Sequence, residues 1–377
     1  MRRALAAAVA LLAVLATPVQ ASSSAAEPPS LDAAAWYLVG ADGAVLAQKN
    51  SRRSRAIASI TKLMTAVVVL EHARPSDVVR VSEGAAGIGG STVFLRAGEE
   101  LTVAELLRAM LVPSANDAAT ALALHVGRGS AERFVSLMNA KARELGLADT
   151  NFENPHGLDE LGHVSSARDA TVLVRHALGI QVIRDALGRS SFSLAGRQEF
   201  PTTDDLLATW APLVGGKTGH TQDAGWSEAA AASRRGATVY GTVLGVETRA
   251  ERNDALRALL EFGLDGYRRI AAVESSRVFG EVDTGYGEPA VEVVAERTIL
   301  RTVREGTPLL ERTVLPTRVE LPVREGQRLG RVEVWEGDRL VASSSLIAAE
   351  SVSEPGALGK ARWFLETTAA NAWEVVT

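Results

Sequence analysis

Hydrophobic and polar positions change their period several times along the chain, and each change marks an element. Residues 34–48, AAWYLVGADGAVLAQ, hold two apolar runs around Asp42-Gly43, which predicts a β-hairpin with a tight turn. The stretch 57–72, IASITKLMTAVVVLEH, predicts a helix with no charge between Lys62 and Glu71. Ser59 and Lys62 lie one turn apart at its head and share a face. Residues 84–91, GAAGIGGS, lack the spacing of a phosphate-binding loop and read as a mobile glycine-rich loop. In 101–112, LTVAELLRAMLV, apolar positions recur at helical spacing behind a capping box of Thr102 and Glu105. Pro113 ends that pattern, and Ser114-Ala115-Asn116-Asp117 leads into a helix over 117–126. Helices are predicted over 131–145 and 167–178, with turn-rich NFENPHGLDELGH between them. From about 190 to 247 the pattern is that of strands, and the helix RNDALRALLEFGL closes a first domain near 272. Beyond it, AVEVVAERTILRTV, RTVLPTRVELPV, RVEVWEGD and RLVASSSLI predict the short strands of a small antiparallel module.

The N-terminus has a different character. Arg2 and Arg3 precede an apolar run, Ala4–Ala16, and a small-residue ending, Val19-Gln20-Ala21. Thirteen apolar residues are short for a membrane span and suit a secretory signal peptide, residues 1–21, rather than an uncleaved anchor. An exported protein, working on the periplasmic or extracellular side, is expected. Residues 22–31 read as a flexible lead-in, 32–272 as the main domain, 273–355 as the β-rich domain and 356–377 as a tail. That tail carries two tryptophans and Phe364 at loosely helical spacing, interrupted by Arg362 and Glu366. It fits a membrane-surface segment or a docked helix equally.

Composition narrows the chemistry. A net charge of −5 argues against nucleic acid as a partner. The absence of cysteine excludes thiolate catalysis and disulfides, and six histidines without metal-ligand spacing give no reason to expect a metal or other cofactor. Only five of the forty basic residues are lysine: Lys49, Lys62, Lys141, Lys217 and Lys360. Lysine, unlike arginine, can lose its proton when desolvated.

Two of the five sit in short motifs. Ser59-Ile60-Thr61-Lys62, Ser114-Ala115-Asn116 and Lys217-Thr218-Gly219 occur in that order. From this composition the trio is expected by chance roughly 0.005 times, so it is a strong signal where each motif alone is weak. The chemistry of the three is coherent. A serine hydroxyl at a helix N-terminus needs a base, and a desolvated Lys62 near a second ammonium can be one. Ser114 can relay a proton to a leaving amine, and Asn116 can orient a substrate or the lysine. Lys217, Thr218 and Gly219 can offer positive charge, a hydroxyl and close backbone approach to a carboxylate.

On these motifs, together with MLVPSANDAATALA, NFENPHGLDELGHVSSARD and KTGHTQDAGW, the chain resembles the low-molecular-mass penicillin-binding proteins, serine-type D-alanyl-D-alanine carboxypeptidases. The resemblance covers about residues 33–270 closely and the β-rich tail loosely. It implies an α+β class: a transpeptidase domain of β-lactamase-like fold, with an antiparallel sheet flanked by helices and an all-helical lobe, then a small all-β domain. It implies hydrolysis of peptidoglycan stem peptides ending in D-Ala-D-Ala through a Ser59 acyl-enzyme, acylation by β-lactams, and no metal or cofactor. Catalytic roles fall to Ser59, Lys62 and Ser114. Substrate binding falls to Asn116, Lys217, Thr218, Gly219, His220 and Arg252, the last readily confused with Arg249. The backbone amides of Ser59 and His220 form the expected oxyanion hole. Three positions depart from the family's text: Gly216 before KTG, Asp204 where asparagine is usual, and Ser227-Glu228 in an expected apolar strand. A β-lactamase or a DD-endopeptidase would share the catalytic residues, and a penicillin-binding wall sensor would bind without turnover. Glu153, at the place where a lactamase keeps its deacylating glutamate, sits in carboxypeptidase-like text and reads as structural.

Overall fold

The computed structural model describes residues 27–194 and 197–374. The signal segment 1–21 and residues 22–26 of the lead-in lie outside them. The first turn forms where the hairpin pattern places it: strands β1 (Ala35–Gly40) and β2 (Val45–Lys49) pair antiparallel, with Gly43 at φ +85°. They extend a sheet with β3 (Leu213–Thr221), β4 (Gly225–Arg234) and β5 (Ala237–Val246) in the order β2-β1-β5-β4-β3, antiparallel throughout.

Helices cover both faces of this sheet. The consecutive residues Gly241 and Thr242 point to opposite sides. Added bulk at Gly241 would meet Leu259 and Leu260 of α6 (Arg249–Asp265), whereas Thr242 bonds at 2.7 Å to Thr171 of α5 (Ala167–Gly179). A strand buried on both sides need not alternate, which explains why all six residues of β1 are buried and why β4 carries the alanine run 229–232. Helix α6 starts earlier than its apolar pattern. Thr248 accepts from the Glu251 main chain and the Glu251 side chain returns to Thr248, a capping box that moves the start to Arg249.

The remaining helices form a lobe around α1 (Lys62–His72). Residues 62–69 of α1 are all buried, as expected of a helix apolar on every side. Around it lie α2 (Val103–Leu111), α3 (Asn116–Val126) and α4 (Ala131–Glu144), which contribute Leu106, Leu107, Met110, Leu122, Phe134 and Met138 to one core. The Thr102–Glu105 capping box of α2 is present. The main-chain break at Pro113-Ser114 separates α2 from α3, with Ser114 at φ +67°.

The chain divides into two compact units, one ending at Gly266 and the other beginning at Tyr267. The division falls ahead of residue 272 because Tyr267–Val273 is a strand paired with Ile299–Arg304, not an extension of α6. The second unit also holds an antiparallel five-stranded sheet in the order Val278–Val282, Val291–Ala295, Arg339–Ala348, Arg328–Glu336, Leu310–Val314. Of the pattern RTVLPTRVELPV only the start is strand: Leu310–Val314 ends before Pro316, which cannot continue a ladder. A last helix, α7 (Ala357–Glu374), follows, and its Trp363 meets Tyr286 edge-on at 5.5 Å. No helix among the described residues is long and apolar enough to cross a membrane.

Candidate active site

Ser59 sits in a single 3-10 turn, Ala58–Thr61, that feeds α1. The turn is shaped by its surroundings. Ala58 has φ +46°, and two glycines press on it: any Cβ at Gly157 would stand 1.9 Å from the Ala58 carbonyl oxygen, and one at Gly219 would stand 2.6 Å from that of Ile57. Lys217-Thr218-Gly219 on β3 therefore lies directly against the serine turn, close enough that only glycine fits at its end.

Lys62 is fully buried, and its Nζ lies 2.7 Å from each of three oxygens: Ser59 Oγ, Asn116 Oδ1 and the main-chain oxygen of His156. Burial, then the nearby Lys217 ammonium, hold the amine's pKa well below its ordinary value, with Asp117 acting weakly the other way. A neutral amine has two hydrogens and one lone pair. The Asn116 carbonyl and the His156 carbonyl can only accept, so they take both hydrogens and the lone pair faces Ser59 Oγ. The Asn116 amide is itself oriented. Its Nδ2 donates 2.8 Å to the Gly89 carbonyl, which leaves Oδ1 for Lys62.

Lys217 is also buried, its Nζ donating 3.0 Å to the Thr218 carbonyl. Its pKa falls to about 7, lowered by burial and by Arg252 and held up by Glu228 and Asp204. Thr218 Oγ1 bonds Thr203 Oγ1 at 2.7 Å. His220 is exposed and stacks on Trp226 at 4.0 Å, and the Arg252 guanidinium lies over the same indole at 5.9 Å. Ser114 is buried at the strained φ that turns the chain into α3, two residues before Asn116.

The structure thus joins Ser59, Lys62 and Asn116 by direct contacts and lays Lys217, Thr218 and Gly219 alongside. Arg252 is placed differently from a residue free to grip a ligand. It is 1% exposed, with Nε 3.1 Å from Glu228 Oε2 and a further bond to Asn253. Arg249, its neighbour in sequence, is more exposed and makes a two-pronged contact with Asp205 at 2.7 and 2.6 Å.

Several participants were not legible as such. His156 reads as a turn residue, yet its carbonyl is the third partner of Lys62. Its ring does not titrate near neutrality: burial, then Lys62, lowers its pKa to about 3. The glycine-rich loop is tied to the site rather than free, with Gly89 holding Asn116, Ser91 accepting from the Asn116 main chain at 2.7 Å, and Asp117 accepting from Val93 and Leu95. Glu153 is exposed and accepts from Asn151 at 2.7 Å.

The sequence model of the peptidase S11 family, D-alanyl-D-alanine carboxypeptidase, matches residues 22–248. The chain belongs to this family. D-alanyl-D-alanine carboxypeptidase DacF of Bacillus subtilis strain 168 is 32% identical over 327 residues, 83% of this chain and 84% of DacF. The carboxypeptidase DacC of Escherichia coli K12 is 32% identical over 390 residues, 95% of this chain and 94% of DacC. Among solved structures, penicillin-binding protein 5 of Haemophilus influenzae matches with a TM-score of 0.64 at 29% identity, over 87% of this chain and 100% of that one. The Streptomyces K15 DD-transpeptidase matches at 0.61 and 28% identity, over 64% of this chain and 100% of its own. The α+β fold expected from the motifs is thus the fold observed, and the chain is a serine D-alanyl-D-alanine carboxypeptidase.

Proposed function

We propose that this carboxypeptidase cleaves the terminal D-Ala from peptidoglycan stem peptides through an acyl-enzyme on Ser59. The observation that carries the assignment is the trio of 2.7 Å contacts at Lys62, which turn the lone pair of its neutral form toward Ser59 Oγ. Ser59 Oγ gives its proton to Lys62 and bonds to the penultimate carbonyl carbon. The oxyanion is received by the backbone amides of Ser59 and His220, on the two elements that Gly219 allows to touch. As the C–N bond breaks, the proton held by Lys62 passes by way of Ser114 to the departing D-alanine, and water then releases the acyl group. The protonated Lys217, with Thr218, receives the terminal carboxylate. Arg252 adds charge from within the protein, since its guanidinium is already engaged by Glu228 and Asn253. β-Lactams acylate the same serine.

A lactamase reading is not favoured, because Glu153 is exposed and committed to Asn151 rather than to Ser59 or Lys62. Export follows from the charged and apolar N-terminal segment. Peripheral membrane contact is supported by the exposed Leu358, Phe364 and Leu365 of α7.

Mass spectrometry after incubation with penicillin, and separately with a D-Ala-D-Ala peptide, tests the assignment. A slow-clearing adduct on the peptide containing Ser59, together with free D-alanine, is expected. No adduct there overturns it, and an adduct lost within seconds indicates a lactamase. Co-sedimentation of the full chain with anionic vesicles, diminished in Phe364→Glu, is the corresponding test for α7; equal sedimentation of both proteins would dismiss the contact.

A further inference from the structure

Three positions that depart from the family's text, Gly216, Asp204 and Glu228, meet at one buried place. A Cβ at Gly216 would stand 2.5 Å from the Ala230 Cβ, 3.0 Å from the Ala229 carbonyl oxygen and 3.1 Å from Glu228 Oε1, so the Glu228 carboxyl takes up part of the room that a side chain at 216 would need. Glu228 is 0% and Asp204 2% exposed, and the two carboxyls are near enough for each to act on the other's proton affinity. Asp204 Oδ1 accepts from the Leu206 main chain at 3.0 Å, but Asp204 Oδ2 and both Glu228 oxygens meet no protein donor in hydrogen-bonding geometry. Two facing carboxylates without donors repel strongly when dry, and one proton between them removes the repulsion and makes a strong bond. The charged groups around the pair are Arg252, with Nε 3.1 Å from Glu228 Oε2, and Lys217 on the neighbouring strand; Arg249 and Asp205 lie further out.

We propose that Asp204 and Glu228 share a single proton and act as one buried negative charge, a positioning device that fixes Arg252 and keeps Lys217 an ammonium while the enzyme works. Burial raises both carboxyls above their ordinary range, in keeping with a retained proton. The pair opposes the desolvation of Lys217, which would otherwise shed its proton at lower pH. Because Lys217 is read above as the carboxylate holder, the kinetic consequence rests on that reading, whereas the shared proton does not.

Amide variants distinguish the charge states. Asp204→Asn and Glu228→Gln each leave one carboxylate with an amide donor, so each preserves the charge of −1 expected for the pair. The double variant removes it. Under the proposal each single variant keeps the alkaline limb of kcat/KM near that of the wild type. The double variant moves the limb to lower pH by about one unit or more, expressed mainly in KM. Equal steps from each single variant would instead mean two full charges, and an unmoved double variant would mean that the pair does not act on Lys217; either overturns the proposal.

Melting curves against pH need no substrate and keep the shared proton testable on its own. A carboxyl with a raised folded pKa contributes stability that is complete at low pH and is lost as pH rises through that pKa. The wild type should therefore lose melting temperature as pH rises from the ordinary carboxylate range toward the raised folded value, and the single variants should lack that loss. Parallel curves for all three proteins refute the shared proton. Melting curves that behave as stated while Lys217→Arg leaves KM and the alkaline limb unchanged place the fault in the role given to Lys217.

Discussion

Gly157→Ala perturbs the catalytic turn without touching a catalytic side chain. Gly157 has φ +87°, and a Cβ there would lie 1.9 Å from the Ala58 carbonyl oxygen, 2.4 Å from its carbon and 3.0 Å from the Ser59 nitrogen. Left-handed backbone costs an alanine about 1–2 kcal/mol. The clash adds to this, because no flexible side chain can yield; the obstacle is backbone. Restoring ordinary contact requires a movement of well over 1 Å, shared between the His156–Leu158 loop and the serine turn. Both carry groups that must stay in place, the His156 carbonyl on Lys62 and Ser59 itself. A misplacement of about 1 Å costs on the order of 100-fold in rate. Gly162→Ala provides the control: φ is +90°, but the nearest obstacle is the movable Glu153 carboxylate at 3.0 Å. Labelling of Ser59 by a fluorescent penicillin should fall about 100-fold in Gly157→Ala and stay near wild type in Gly162→Ala. Backbone strain alone should lower the melting temperature of Gly162→Ala by about 2–8 °C. Wild-type labelling by Gly157→Ala, with the same loss of stability as Gly162→Ala, would refute the claim that this glycine shapes the nucleophile turn.

Other outcomes follow from the same geometry. Lys62→Arg puts a permanent cation in place of the neutral amine and cannot offer a lone pair, so acylation by penicillin should disappear; a labelled Lys62→Arg protein contradicts the base assignment. The pH profile of kcat/KM should be bell-shaped. It should rise as Lys62 loses its proton at a pKa well below the ordinary lysine value, and fall as Lys217 loses its own at about 7. Activity that climbs steadily to pH 10 is incompatible with an ammonium at Lys217. Thr248→Ala removes one half of the α6 capping box and should cost about 0.5–2 kcal/mol in denaturant unfolding, with kcat unchanged.

The legible part of the molecule was that in which local chemistry decides. The Asp42-Gly43 turn, the Thr102–Glu105 capping box and the apolar body of α1 all act within a few residues, and each formed where its pattern lay. The motifs gave the site for a related reason: reactive side chains are scarce types, and only five lysines compete. Illegible were main-chain contributions and long-range substitutions. Nothing in the type of residue 156 says that its carbonyl will hold Lys62, because any residue has a carbonyl. The glycine-rich loop reads as loose, yet Asp117 and Asn116 secure it across 22 to 27 residues of sequence. Glu228 reads as a misfit in an apolar strand until Arg252, 3.1 Å away, and Asp204 are seen beside it.

The central claim is that Lys62 is neutral at the pH of catalysis and presents its lone pair to Ser59. With five lysines in the chain, the protein labelled with carbon-13 at lysine Cε gives a spectrum simple enough to assign by single substitution. The account predicts that across the pH range in which the enzyme is active the Lys62 signal has the shift of a free amine, while Lys141 and Lys360 remain ammonium. A Lys62 signal that stays that of an ammonium through pH 9, in a protein that still acylates Ser59, would contradict it.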